Sequence, residues 1–242
     1  MSQYSIFHTS HCGSTLLASM LSKSIPTITE PSWSHRIHKQ PGKTNTINFL
    51  SSNLVDNTLV KYSSMYCYVA PLVDGKKIYL YRTLQSHLEK MLSNSSYLIH
   101  NSESTTEVLK GNLHKDLGWD YSSIKNSDHI KAHALLWVDR YLHINDSEDL
   151  FLVNSSDFLN DKQKIAKQVC DFFQIEYIPV GDQFNAKLSG LNHNSTPISL
   201  ADRELLYYEH KKSKSGNPLL VLNIINQIKN QYPNIPERIL FN

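Results

Sequence analysis

Residues Tyr4 to Met20 read YSIFHTSHCGSTLLASM, and the reading of this stretch decides the fold. Tyr4–Thr9 is a short apolar and aromatic run that predicts a strand. It stops at a cluster of small polar residues, Ser10 to Thr15, after which Leu16, Leu17, Met20 and Leu21 share one face of a helical pattern. A strand that bends at once into a helix gathers several backbone N–H groups and the positive end of the helix dipole at one point, which suits a phosphate or a sulfate. Gly13 permits the tight turn and close approach of an anion, and the hydroxyls of Ser14 and Thr15 can add hydrogen bonds from the first helical turn. A plain helix cap uses the same residue types, so the bend alone leaves both uses open. The triphosphate signature GxxxxGK[ST] is missing, because no lysine precedes Ser14, which disfavours a kinase or NTPase.

Further strands are expected at Thr58–Tyr62, Lys77–Tyr81 and Asp149–Asn154, with a weaker one around Ile25–Thr29. Helical patterns lie between and beyond them: Ala132–Ile144, a segment after Asp161 carrying Ile165, Val169, Phe172 and Phe173, a capped helix from Ser199 to about His210, and Pro218–Gln231 stopped by Pro233. Strand alternating with helix predicts an α/β fold with a parallel sheet covered on both faces. The 242 residues are expected to form one domain, 1–242, with 83–146 as a helical lobe within it.

Composition narrows the function classes. Charged residues make up 19% and leave a formal net charge of +2, so any basic site is local and coating of nucleic acid is not expected. Three cysteines at wide spacing, Cys12, Cys67 and Cys170, fit neither a disulfide framework nor a metal cluster, and point to a reducing, cytoplasmic compartment. No run approaches the roughly 20 apolar residues of a membrane span, and no export segment is visible.

The run His11-Cys12-Gly13-Ser14-Thr15-Leu16-Leu17 resembles the 5′-phosphosulfate-binding loop of the P-loop sulfotransferases, whose pattern is roughly [KR]-S-G-[ST]-T followed by apolar residues. FHTSHCGSTLL in particular looks like a bacterial branch of that family. The match continues in order through Glu30-Pro31, Val60-Lys61, Arg82 and LFLVNSSDFLNDKQKIAKQVCDFFQI, spanning about Ser5 to Ile175. The resemblance implies a P-loop-type three-layer sandwich with a central, mainly parallel sheet of about five strands and a helical insertion. It also implies transfer of a sulfuryl group from 3′-phosphoadenosine 5′-phosphosulfate (PAPS) to a hydroxyl or amine of a small-molecule or carbohydrate acceptor, without a metal. Sulfuryl transfer needs in-line geometry, donors for the transferred oxygens and leaving phosphate, and a base for the acceptor.

Carried over position by position, the resemblance implies that Cys12, Gly13, Ser14 and Thr15 cradle the phosphosulfate. His11 stands where the family has a lysine or arginine, so a protonated imidazole would have to neutralise the leaving group. Glu30 is the candidate general base and Lys61 a second cation at the same rim; their ordinary readings are a solvated carboxylate and an exposed lysine. Arg82 matches the arginine that grips the 3′-phosphate, suited to it by its fixed fork of donors. Lys90 replaces a serine expected eight residues on, with Ser86 and Ser93 as substitutes one turn to either side. The rival reading, resting on His11 and Lys90, is a non-catalytic nucleotide- or anion-binding protein that keeps the fold.

Several features are set aside. His35/His38 and His129/His133 lack the glutamate or cysteines of a metal motif. Cys12 sits where a helix end lowers a thiol's pKa, but a loop residue is the better reading. Trp33, Trp119 and Trp137 read as packing residues, Trp33 with the further option of lining an acceptor pocket beside Glu30. The basic link Lys211–Gly216 reads as a solvated loop, or as a segment that closes over a nucleotide. Acceptor identity and oligomeric state are not encoded legibly.

Overall fold

A computed structural model describes residues 3–9, 12–92, 129–180, 183–184, 198–199 and 218–242. Five strands, β1 Tyr4–His8, β2 Thr27–Thr29, β3 Leu59–Lys61, β4 Lys76–Tyr81 and β5 Leu150–Asn154, form one sheet in the order β2-β3-β1-β4-β5. Every pairing in it is parallel, so the expectation of a mainly parallel sheet is met in its strictest form. Each strand falls where its apolar run lies, and the weak second one is trimmed to three residues after Pro26.

The chain packs as two compact units, Met1–Tyr81 with His143–Tyr207, and Arg82–Leu142 with Tyr208–Asn242. The first contains the sheet. All five residues of β1 are buried, as expected for a central parallel strand covered on both faces. Tyr4 and Ile6 share one face with Ile78, Leu80 and Val153. That face is covered by α1 Ser14–Leu21, which contributes Leu16, Leu17, Met20 and Leu21, and by a later helix at Lys162–Phe173, which contributes Ala166, Val169 and Phe173. Phe7 points the other way and stacks on Tyr62, rings 4.8 Å apart and 3° from parallel. Two 3₁₀ segments, Ser32–Lys39 and Ser64–Leu72, and α2 Gly42–Asn53 fill the crossovers on the β2–β3 side.

The second unit is helical where described: α3 Leu84–Leu92, most of α4 His129–Asn145, α7 Pro218–Gln231 and α8 Glu237–Leu240. In the first unit α5 Ser155–Asn160 and α6 Lys162–Phe173 follow β5, capped by the side chains of Asn154 and Asp161 respectively. Ser199, expected to cap a helix, ends a two-residue strand β7 Ile198–Ser199 paired antiparallel with β6 Gln183–Phe184. The helix expected after it, Ser93, Trp119 and the basic link at Lys211–Gly216 all lie outside the described residues.

Candidate functional site

In this sheet the connections from β1 run to β2 and β3 on one side, while β4 and β5 lie on the other. The strand order therefore reverses between β1 and β4, and in open α/β sheets ligands gather at the carboxyl ends of the strands flanking such a reversal. Here that place is where β1 bends into α1. Thr9 donates its N–H to the Leu80 carbonyl at 3.1 Å, which keeps the exit of β1 against β4. Gly13 then takes φ +95°, a left-handed conformation that glycine adopts without penalty, and serves as N-cap. Among the described residues no side chain caps α1; its ladder starts with the Leu17 N–H on the Gly13 carbonyl at 3.0 Å, so the amides of the first turn face outward from the helix end. Ser14 is buried and Thr15 half-buried in that turn. Cys12 is fully buried and forms no disulfide. His11 lies outside the described residues.

One strand over, Glu30 and Lys61 come together. Thr29 is the partner of Lys61 in the β2–β3 register, so Glu30 emerges beside the end of β3. Its N–H donates to the Lys61 carbonyl at 2.7 Å, and its Oε1 accepts from the Lys61 ammonium. The Lys61 side chain is only 3% exposed and that of Glu30 26%, so neither the solvated-carboxylate nor the exposed-lysine reading holds. Glu30 has φ +46°, uncommon for a non-glycine residue, and two contacts with one neighbour hold it there. Its Oε2 accepts no hydrogen bond among the described residues, which leaves one oxygen facing the quarter of the side chain open to solvent.

Aromatic groups surround this pair. Tyr66, in the 3₁₀ segment Ser64–Leu72, has its hydroxyl held above the usual phenol range, first by burial and then by the charge of Glu30. Tyr62, directly after β3, is fully buried; burial pushes its hydroxyl up as well, and that hydroxyl finds no hydrogen-bond partner among the described residues. Half-buried Trp33 meets Tyr62 and Phe49 edge-on, with ring centroids 6.1 and 6.2 Å away.

Sequence reasoning missed His8, the last residue of β1. Its Nδ1 lies 2.7 Å from the Thr9 carbonyl oxygen and its Nε2 3.0 Å from that of Tyr62. Carbonyl oxygens only accept, so both bonds form together only on the doubly protonated ring. The signal was available: a histidine closing an apolar strand just ahead of the bend.

In the second unit Arg82, the residue after β4, is 8% exposed and donates from Nη1 to the Ser86 hydroxyl at 3.4 Å. Lys90 is held below the ordinary lysine range, first by burial and then by the charge of Arg82, so the two cations sense one another. The carbonyl of Arg82 accepts from the indole N–H of the buried Trp137 at 3.0 Å, which makes that tryptophan more than packing. Of the histidines set aside, His35 and His38 are exposed, and His133 faces His87 with ring centroids 6.0 Å apart.

No protein-family model matches the chain, and neither does any curated protein sequence. Among solved structures it is similar to a sulfotransferase domain from the curacin biosynthetic pathway, with TM-score 0.51 and 16% identity over 94% of this chain and 97% of that one. It is also similar to a sulfotransferase from Alicyclobacillus acidocaldarius, with TM-score 0.48 and 13% identity over 98% of each. At these identities the likeness shows the fold: a five-stranded parallel α/β sheet flanked by helices, as in the curacin-pathway domain.

Proposed function

We propose that the protein is a sulfotransferase that moves a sulfuryl group from PAPS to a hydroxyl or amine of a small-molecule or carbohydrate acceptor. The observation that carries this reading is the bend after β1: at the reversal of strand order the chain turns through a left-handed Gly13 into a helix that no side chain caps among the described residues. Outward-facing amides there suit a singly bonded sulfate or phosphate oxygen, and the loop lacks the lysine that a triphosphate requires. The sulfotransferase-like fold and the residues His11 to Leu17 favour the sulfate donor.

In this reading the amides of Cys12–Thr15 hold the 5′-phosphosulfate, and His11 with Lys61 offsets charge on the leaving phosphate. Glu30 takes the acceptor's proton on Oε2 as the new S–O bond forms and the bond to the phosphate oxygen breaks. Lys61, bound to Oε1, keeps the carboxylate oriented. Arg82, with Lys90 in its field, takes the 3′-phosphate. The aromatic residues Trp33, Tyr62 and Tyr66 give the acceptor apolar walls.

A second reading, a nucleotide- or anion-binding protein without turnover, is favoured by the ion pair itself, since Glu30 is already engaged by Lys61. Calorimetric titration with adenosine 3′,5′-bisphosphate, with ATP as control, tests the shared part of both. Selective binding of the bisphosphate is expected, and equal or tighter ATP binding overturns both. Release of radiolabelled sulfate from PAPS to a panel of alcohols, phenols, sugars and amines then separates enzyme from binder.

A further inference from the structure

The surface that follows Glu30 carries charge of one sign. Between Glu30 and Asp56 the chain has Arg36, Lys39 and Lys43 and no aspartate or glutamate, in a protein whose net charge is only +2. All three are exposed, and none pairs with a carboxylate among the described residues, whereas exposed Lys167 pairs with Asp171 and Lys229 with Glu237. Helix-end electrostatics account for only part of this. Arg36 and Lys39 stand in the last turn of Ser32–Lys39, where the dipole favours cations, but Lys43 stands in the first turn of α2, where it disfavours them.

The order of these residues follows from the 3₁₀ geometry. With three residues per turn, positions i and i+3 eclipse, and burial recurs at that period: Ser34 and Ile37 are fully buried while His35 and Arg36 between them are exposed. Trp33, Arg36 and Lys39 therefore form one line, with about 6 Å between neighbours at a rise of about 2 Å per residue. The line begins at the candidate site. Trp33 is three residues from Glu30 and meets the ring of Tyr62, the residue after Lys61. Because Lys61 already neutralises Glu30, an anion arriving along this line meets no opposing net charge at the base. We propose that the acceptor is itself an anion, whose carboxylate or sulfate ester rests on Arg36 and Lys39 while its reacting hydroxyl or amine reaches Glu30. Resting on the sulfotransferase reading, this narrows the acceptor to a small molecule or sugar with a negative group about 6–12 Å along the line from Trp33. The guanidinium can take two oxygens of that group at once, and Lys39 adds a point charge behind it.

The test uses probes matched in shape and different in charge: 4-hydroxyphenylacetate against 4-hydroxyphenylacetamide, and methyl glucuronide and glucose 6-sulfate against methyl glucoside. Binding to the full chain is followed through the Trp33 indole N–H and the amide resonances at positions 36 and 39. The proteins are the native chain, the double variant Arg36→Gln with Lys39→Gln, and Lys167→Gln as a control for loss of an exposed lysine elsewhere. Charged probes should bind the native protein at least ten-fold more tightly than their neutral partners, and added salt should shrink that preference. The double variant should abolish it, and Lys167→Gln should keep it. Because all the altered residues are exposed, the variants should melt with the native protein. In transfer from PAPS the charged member of each pair should show the lower KM, and the double variant should raise that KM with kcat unchanged. Equal binding of charged and neutral probes by the native protein overturns the proposal, and so does a preference that survives in the double variant. The glucuronide and glucose 6-sulfate arms tell a carboxylate from a sulfate ester. Failure of the sulfotransferase reading shows separately, as a protein that binds no adenosine 3′,5′-bisphosphate, and the anion-binding line is then upheld or overturned by the resonances alone.

Discussion

Replacing Glu30 by glutamine keeps side-chain shape and the left-handed backbone and removes only the charge that faces Lys61. Two unit charges about 4 Å apart at an effective dielectric of about 20 attract by about 4 kcal/mol. Lys61 is dry but a quarter of Glu30 is open to water, so screening reduces the loss to about 2 kcal/mol. For a chain of this size that corresponds to a fall in Tm of about 4–8 °C. Lys61→Met, which leaves behind the wetter partner, should cost less, about 1 kcal/mol, and the double variant should lie within about 0.5 kcal/mol of the native protein because no buried charge is stranded. Thermal melts of the four proteins give a coupling of about 3 kcal/mol. Additive effects would refute the reasoning, since they would mean that the ammonium is not desolvated against the carboxylate. The same four proteins separate packing from chemistry. The double variant recovers the fold, yet if Glu30 is the base its turnover stays as low as that of Glu30→Gln alone.

Three further outcomes are expected. Gly13→Ala, forced toward φ +95°, should lose about ten-fold in affinity for adenosine 3′,5′-bisphosphate, from about 1–2 kcal/mol of backbone strain in the loop; unchanged affinity in calorimetry would show that the bend does not hold the ligand. Gly75→Ala is its counterpart at the opposite end of the sheet: at φ +85° its Cβ would fall 2.3 Å from the Gln3 carbonyl oxygen, so Tm should drop by several degrees while the protein that remains folded binds normally. Lys90 has its pKa depressed by burial and by Arg82, so its charged form disfavours folding at neutral pH, and that cost fades as pH rises toward the ordinary lysine value of about 10.4. An anion bound at Arg82 should raise that pKa again. Binding between the depressed and the ordinary value should therefore take up a proton, seen as a buffer-dependent calorimetric enthalpy that Lys90→Met abolishes; a buffer-independent enthalpy would contradict the shared field of the two cations.

The sheet was legible because a parallel strand buried on both faces reads as an unbroken apolar run, and SIF, LVK, IYLY and LFLV stand out from polar surroundings. Helices that cover the sheet were legible for a related reason: α1 and α6 bury a full stripe, so their period shows. The crossovers between β2 and β3 did not show. Gly42–Asn53 buries only Thr46 and Leu50, and Ser32–Lys39 only Ser34 and Ile37, so neither has a stripe to read. Tertiary contacts decide such segments, and composition carries little of that information.

The site was legible in its positions but not in its pairings. Glu30 and Lys61 could each be singled out as a charge closing a strand, but that they neutralise one another depends on the Thr29 to Lys61 register, which no local pattern encodes. His8 and Arg140 were passed over for the opposite reason. Each sits inside a buried element, in YSIFH and in LLWVDRYL, where the surrounding apolar residues dominate the pattern. A cation inside an apolar stripe is the more informative departure, because a buried charge must be answered by a partner in the fold or by a ligand. For Lys61 the fold supplies the partner, Glu30. For His8 it supplies two carbonyls, and only the charged ring can use both.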